Sequence, residues 1–364
     1  MEVFSIIIPV YNRPEEIDDL LNSLTRQTYV HFEVIVVDDG SSIPCESIVN
    51  AYNNRLRIRY FYIENSGPGL ARNQGVRYAE GEIVIVLDSD CIVPASYLEQ
   101  VHESLIRYKV DAFGGADRAH SSFSAIQKAV NYSMTSFFTT GGIRGSRRHL
   151  DTFYPRSFNM GMRKEVYEAL GGFSDMRYGE DIDFSIRIFK GGYKCRLFPG
   201  AWVYHKRRTD LKKFFKQVHN SGIARINLYK KYPDSLKLVH LLPAVFTLGV
   251  SLLLLLTLLG LGLVLLAFYL LYSKTVPGCA TGEMALLFLG FAAMLAAPLP
   301  LLLYSLVVCV DSTIRNRSLW IGMLSITASF IQLIGYGTGF WRAWWQRCIR
   351  GKDEFEAFQK NFYK

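Results

Sequence analysis

Two hydrophobic rhythms divide the chain. Up to about residue 200, short apolar runs rich in Ile and Val alternate with amphipathic stretches; beyond about residue 238, long uncharged stretches take over. In the first region Phe4–Val10, Glu33–Asp38, Arg57–Ile63 and Glu82–Leu87 read as strands, and the Pro, Asp, Gly and Ser that follow the apolar runs suit strands buried on both faces. Pro14–Gln27 sets Ile17, Leu20, Leu21 and Leu24 at helical spacing, with Pro near the first turn, and Ala71–Tyr78 reads as a second helix. Strand–helix alternation predicts an α/β domain whose mostly parallel sheet is covered on both sides. Such sheets bind ligands beyond the C-terminal ends of their strands, where the polar clusters of this chain fall.

Three uncharged stretches, 238–273, 284–310 and 318–341, exceed the roughly 18 residues that argue for a membrane span. They exclude a soluble globular protein and a chain disordered by composition. As a helix, residues 241–273 would run about 50 Å against a hydrocarbon core of about 30 Å, so they form either one tilted helix or a hairpin broken near Gly260 and Gly262. Ahead of the spans, Lys206–Lys231 holds nine Lys/Arg and one acid, Asp210, interleaved with Leu211, Phe214, Phe215, Val218, Ile223, Ile226 and Leu228. This reads as an interfacial helix on anionic headgroups, with an ordinary surface helix as the alternative. The tail Trp341–Lys364 carries six basic residues and three acids, which positive-inside bias places in the cytoplasm, and Trp341, Trp344 and Trp345 suit interface anchors. Three to four passes are expected over 238–341. A cytoplasmic front and tail favour four, and the basic loop of Arg315 and Arg317 favours three. Gly335, Gly337 and Gly339 suit close packing of spans, within one chain or between chains of a homo-oligomer.

The 364 residues carry 41 Lys+Arg against 32 Asp+Glu, a net +9. That charge fits an anionic membrane or nucleic acid; its place beside the spans selects the membrane, and no nucleic-acid partner is expected. Met1-Glu2-Val3 is not a basic n-region, so no cleavable signal peptide is predicted. Six cysteines without a CxxC pair suggest neither a zinc site nor a disulfide framework, and the front half is expected in a reducing cytoplasm.

Four clusters carry candidate chemistry. Asp88-Ser89-Asp90 closes the strand EIVIVLD; in extended chain the two carboxylates point to one side and suit Mg²⁺ or Mn²⁺ shared with phosphate oxygens, the alternative being a solvated turn. Val37-Asp38-Asp39-Gly40-Ser41 closes another strand, where an Asp accepts hydrogen bonds from a base edge or ribose, unless Ser41 or Asp39 is a helix cap. The run Asn65–Asn73 lacks the third Gly of a dinucleotide fingerprint, having Arg72 there, and Arg72 on a helix's opening turn suits a phosphate. Gly179-Glu180-Asp181-Ile182-Asp183 offers a general base, or acids that complement a helix dipole.

In this order Ser5–Asn12, VDDGS, SGPGLARN, the DSD triplet, FNMGMRKEVYEALGGF and GEDIDFSIR resemble the motifs of glycosyltransferase family 2, over about residues 3–205 and with similar spacing. The membrane part resembles that of membrane-anchored bacterial members. The resemblance implies a GT-A fold (α/β, Rossmann-like, with a mostly parallel sheet) over 1–205. A basic interfacial segment 206–237, transmembrane helices over 238–341 and a basic amphipathic tail 342–364 would follow, with the catalytic domain on the cytoplasmic face of a bacterial inner membrane. It also implies inverting, metal-dependent transfer from a nucleotide-diphosphate sugar. By motif matching, Pro9, Tyr11, Asn12 and Asp39 line the base and ribose pocket, Arg72, Asp88 and Ser89 contact the nucleotide sugar, and Asp88 and Asp90 hold Mg²⁺ or Mn²⁺. His205 reaches the metal or diphosphate, or is structural; Asp181 is the base; Asn159, Glu180 and Asp183 serve the acceptor or support the base.

Processive members of the family carry Q-x-x-R-W on an interfacial helix. Gln217-Val218-His219-Asn220 is not followed by Arg-Trp, which implies one sugar per turnover. The expected acceptor is membrane-borne: a lipid-linked saccharide or glycolipid, or a polyprenyl phosphate that needs no base. A non-catalytic nucleotide-sugar-binding scaffold is the remote alternative, and the lack of charge within the three uncharged stretches disfavours a transporter.

Overall fold

The computed structural model describes residues 3–118, 123–140, 153–176, 178–207, 209–273 and 281–354. These fall into two compact units, the described residues of Met1–Phe123 with Gly141–Arg207, and those of Ser124–Thr140 with Arg208–Ala357.

In the first unit the chain runs through β1 (Phe4–Val10), α1 (Pro14–Leu24), β2 (Phe32–Asp39), α2 (Glu46–Asn50), β3 (Ile58–Ile63), α3 (Pro68–Arg77), β4 (Ile83–Leu87), β5 (Cys91–Ile92), α4 (Tyr97–Tyr108) and β6 (Ala112–Arg118). It leaves for the second unit through α5 (Ala125–Thr135) and α6 (Phe137–Thr140), then returns as β7 (Asn159–Arg163), α7 (Lys164–Ala169), α8 (Glu180–Lys190) and β8 (Cys195–His205). The strands form one sheet in the order β3-β2-β1-β4-β7-β6-β8-β5. The first four are parallel, as the apolar runs predict, whereas β7 runs against both β4 and β6.

Period-two alternation along the strands builds two core layers. Ile6 and Ile8 pack with Leu20, Leu21 and Leu24 of α1 on one face, while Ile7 packs with Ala71 and Val76 of α3 and with Phe184 and Ile188 of α8 on the other. Parallel pairing brings the C-terminal ends of β1, β2 and β4 to one edge, and antiparallel pairing of β7 brings Asn159 beside Leu87 at that edge.

The second unit continues as α9 (Leu211–Lys231), α10 (Leu238–Ser273), α11 (Thr281–Ala296), α12 (Leu299–Asn316) and α13 (Leu319–Trp344). Three stretches among the described residues are long and apolar enough to cross a membrane: Leu238–Ser273, Thr281–Asn316 and Leu319–Ile349. The hairpin weighed near Gly260 and Gly262 is not formed, since α10 runs unbroken through both. Gly260 instead lets α11 approach; a Cβ there would lie 2.7 Å from the Gly290 carbonyl oxygen. The interruption falls at residues 297–298, between α11 and α12.

The α13 glycines are used within the chain. A Cβ on Gly339 would lie 2.0 Å from the His219 carbonyl oxygen of α9, and one on Gly337 would lie 2.0 Å from Thr247 Oγ1 of α10. Phe214 and Val218 of α9 pack with Ala328 of α13 and with Ala129 and Val130 of α5. Substituting Gly339→Ala should force α9 and α13 apart at a cost of about 1–3 kcal/mol. The measurement is the unfolding midpoint of detergent-solubilised protein; an unchanged midpoint would show that no such contact exists.

Candidate active site

The strand ends are clamped to one another by short polar side chains. Asn12, just past β1, has φ +51°, a left-handed conformation that Asn tolerates better than most residues. Its N–H donates to Ser41 Oγ at 2.8 Å and its Oδ1 accepts from Ser42 Oγ at 3.0 Å and Ile43 N at 3.2 Å. Pro9 is buried, while Tyr11 is 37% exposed and offers an aromatic face at this edge.

The two aspartates ending β2 divide their work. Asp38 is fully buried and accepts from Ser41 N at 2.9 Å and Tyr60 OH at 2.8 Å, which fixes the turn. Asp39 accepts from Ser66 N at 2.7 Å and Gly67 N at 2.9 Å, at the entrance to α3. Burial raises the Asp39 pKa even though those N–H groups oppose the shift. Asp39 thus ties β2 to α3, with both oxygens already accepting hydrogen bonds.

The DSD triplet does not continue the extended strand. Cys91 N donates to Asp88 O at 3.1 Å, closing a turn across Ser89 and Asp90, and the same-side rule for extended chain no longer applies. The carboxylates separate: Asp88 Oδ1 accepts from Arg72 Nη2 at 2.7 Å, whereas Asp90 pairs through Oδ2 with Arg13. Asp90 Oδ1 lies 3.1 Å from His205 Nε2. His205 arrives there because β8 pairs with β5, setting it opposite Cys91, and its ring stacks on Phe158 at 4.9 Å. Ser89 is buried in the turn.

Metal-ligating atoms of Asp90, Cys91 and His205 lie within 4.8 Å of one another, the one such group of three or more among the described residues. Burial pushes the Cys91 thiol well above its ordinary pKa, helped by Asp90, so it stays protonated and is a poor donor for a hard cation. Asp90 and His205 do fit one. Their 3.1 Å separation matches the edge, about 3 Å, between adjacent ligands of an octahedral ion with bonds of about 2.1 Å. Two protein ligands suit an ion that takes its others from phosphate and water. Asp88 is held by Arg72 and lies outside this group.

The third wall is the start of α8, after Gly179 at φ +87°. Arg72, 3% exposed, reaches both motifs: beyond Asp88 it donates through Nη1 to Glu180 Oε1 at 3.1 Å. Asp181 Oδ2 pairs with Arg156 Nε at 3.0 Å, and its Oδ1 accepts from Ile182 N at 2.8 Å. Two expected residues lie near this edge but are buried in contacts of the fold itself. Asp183 is fully buried and paired with Arg187 at 2.8 Å. Asn159 is also fully buried, accepting from Tyr97 OH at 2.7 Å and donating to Ala201 O at 2.8 Å.

Burial and the neighbouring Asp181 push the Glu180 pKa up to about 7, against the opposing pull of Arg72. Folded Glu180 thus keeps a proton that the unfolded chain releases near 4.5, and its contribution to stability is present below that pH and lost as pH rises to about 7. Between those values the unfolding midpoint of wild type should fall relative to that of Glu180→Gln; parallel pH curves would refute the shift.

Arg13, Arg156 and the loop-fixing role of Asp38 escape sequence reasoning. The two arginines belong to no spacing rule, and their partners lie 77 and 25 residues away. The pairing pattern of Asp38, which follows from its burial, is invisible in the string VDDGS.

The family model of Glycosyl transferase family 2 matches residues 5–171. The poly(ribitol-phosphate) beta-N-acetylglucosaminyltransferase TarS of Staphylococcus aureus is 35% identical over 134 residues, 34% of this chain and 23% of TarS, so the chain spans under a quarter of that relative. Glycosyltransferase AglE of Haloferax volcanii is 29% identical over 240 residues, 63% of this chain and 77% of AglE. The solved mannosyltransferase PcManGT of Pyrobaculum calidifontis, in complex with GDP-Man and Mn²⁺, superposes with a TM-score of 0.53 at 19% identity. That match covers 92% of this chain and 87% of the other, and it shows a shared fold, the GT-A fold that the motifs imply.

Proposed function

Since this chain belongs to glycosyltransferase family 2 through its front domain, we propose that it transfers a single sugar from a nucleotide-diphosphate sugar to a membrane-borne acceptor. The acceptor proposed is a lipid-linked saccharide or glycolipid. The observation that carries this reading is the convergence of the DSD and GED motifs on one buried arginine: Arg72 joins Asp88, 16 residues away, to Glu180, 108 residues away.

At this edge Tyr11 presents its ring to the base, and the Asp90–His205 pair holds Mg²⁺ or Mn²⁺. When bound, the ion supplies positive charge to the departing diphosphate. Asp181 takes the proton from the acceptor hydroxyl as its oxygen attacks the anomeric carbon, and the nucleoside diphosphate leaves from the opposite face. An α-linked donor then gives a β-linked product; retained configuration in the isolated glycolipid would exclude single displacement.

The deciding assay is nucleotide release from UDP-, GDP- and dTDP-sugars by protein in detergent, with membrane lipid extract and with or without Mn²⁺ or Mg²⁺. Release that needs extract and metal, from one donor, is the expected result. No binding of any nucleotide would overturn the reading.

The exposed leucines of α10 and α12, among them Leu252, Leu258, Leu302 and Leu306, form an apolar surface that suits lipid. Trp341 Nε1 of α13 donates to Ala244 O of α10 at 3.0 Å, which brings the end of the last span to the start of the first. That contact suits a tail on the side of entry, taken as the cytoplasm, which three complete crossings would not give, so only two of the three stretches would then cross completely. In a variant keeping only Cys348, an impermeant thiol reagent should label inverted vesicles and spare intact cells; labelling of intact cells would place the tail outside.

A further inference from the structure

Three arginines neutralise the carboxylates of the site, and they are held with different firmness. The Arg72 side chain is 4% exposed and bridges Asp88 and Glu180. Those of Arg13 and Arg156 are each 30% exposed, and their ion pairs here are with Asp90 and Asp181 respectively. The backbone sets Arg13 in place: it follows the left-handed Asn12 and stands immediately before the first turn of α1. From there its guanidinium crosses to the turn after β4 and takes Oδ2 of the carboxylate whose Oδ1 faces His205.

We propose that Arg13 is a positioning residue that stands in for the divalent ion on Asp90 and gives way when a nucleoside diphosphate arrives, so that ion and diphosphate bind cooperatively. This rests on the donor and ion reading above. With Arg13 on Asp90 the pair is neutral. A divalent cation taking Asp90 beside an unmoved Arg13 leaves two excess positive charges around a carboxylate only 8% exposed, where water screens them poorly. A diphosphate supplies the missing negative charge, and the guanidinium fork released from Asp90 matches phosphate oxygens. Each ligand removes the obstacle to the other, and linkage makes the effect reciprocal.

The test is Mn²⁺ binding to the full chain in detergent, read from the loss of the free-ion paramagnetic resonance signal. Wild type, R13Q, R13A and R13K are titrated with Mn²⁺ alone and then in the presence of UDP, GDP or dTDP. R13Q and R13A should bind Mn²⁺ alone at least about fivefold more tightly than wild type. R13K, which keeps the charge, should stay near wild type, and the tightening by nucleotide should shrink in the two neutral variants. Without metal R13Q and R13A leave Asp90, 8% exposed, beside His205 but without the Arg13 charge, so they should lower the unfolding midpoint and Mn²⁺ should restore it, while R13K should stay near wild type. Equal or weaker Mn²⁺ binding by folded R13Q or R13A would overturn the proposal, as would a wild type indifferent to nucleotide. A wild type that takes up no Mn²⁺ with any of the nucleotides would overturn the metal reading beneath it.

Discussion

Replacing Asp181 by Asn is expected to lower turnover by about 10²–10⁴-fold, the range for a lost general base, while donor binding persists. Asn keeps the shape of the side chain and an oxygen able to accept from Ile182 N, as Asp181 Oδ1 does at 2.8 Å. What disappears is the basic oxygen and the charge that Arg156 meets at 3.0 Å. Nucleotide release with lipid extract measures the first effect, and equilibrium binding of the nucleoside diphosphate measures what remains. Turnover within tenfold of wild type would mean that the acceptor already carries its negative charge, as a polyprenyl phosphate does. Joint loss of binding and turnover would make the pair with Arg156 a structural tie.

The second large effect should come from Arg72. Its side chain is 4% exposed between Asp88 and Glu180, and its guanidinium lies 5.2 Å from the Phe173 ring centre. Arg72→Gln leaves Glu180, 13% exposed, and Asp88, 30% exposed, without their shared cation; water at Asp88 and proton uptake by Glu180 should keep the cost below the ~3–5 kcal/mol of breaking a fully buried pair. Arg72→Lys keeps the charge but not the fork that spans both partners, so it should fall between the two. Denaturant unfolding reads the loss directly. Normal stability with weakened nucleotide binding would instead make Arg72 a phosphate contact, the role its motif implies.

These two residues show how sequence and structure divide the problem. Asp181 and Arg72 are both legible in the sequence as members of motifs at the mouths of helices. That Arg72 is buried and faces carboxylates is not legible, because the contact to Glu180 spans 108 residues and depends on α3 and α8 lying on the same face of the sheet. Asp183 shows the reverse. Two residues past Asp181 the helix has rotated by about 200°, which puts Asp183 on the buried side, where Arg187 meets it four residues on, so motif membership says nothing about its role.

By itself the sequence determined what depends on local pattern. The parallel strands β1 to β4 follow from apolar runs and their punctuation, the stretches long and apolar enough to cross a membrane from length without charge, and the resemblance to glycosyltransferase family 2 from six ordered motifs. Each of these is a property of residues near one another along the chain. Tertiary structure decided what depends on register and burial. It made the DSD triplet a turn with its carboxylates apart, and brought His205 to Asp90 through the β5–β8 pairing. It moved the break in the spans from Gly260 to residues 297–298, and lent α5 and α6 from within the catalytic sequence to the second unit. Distant residues meet only where packing has fixed both chain paths, and one sequence read locally does not specify those paths.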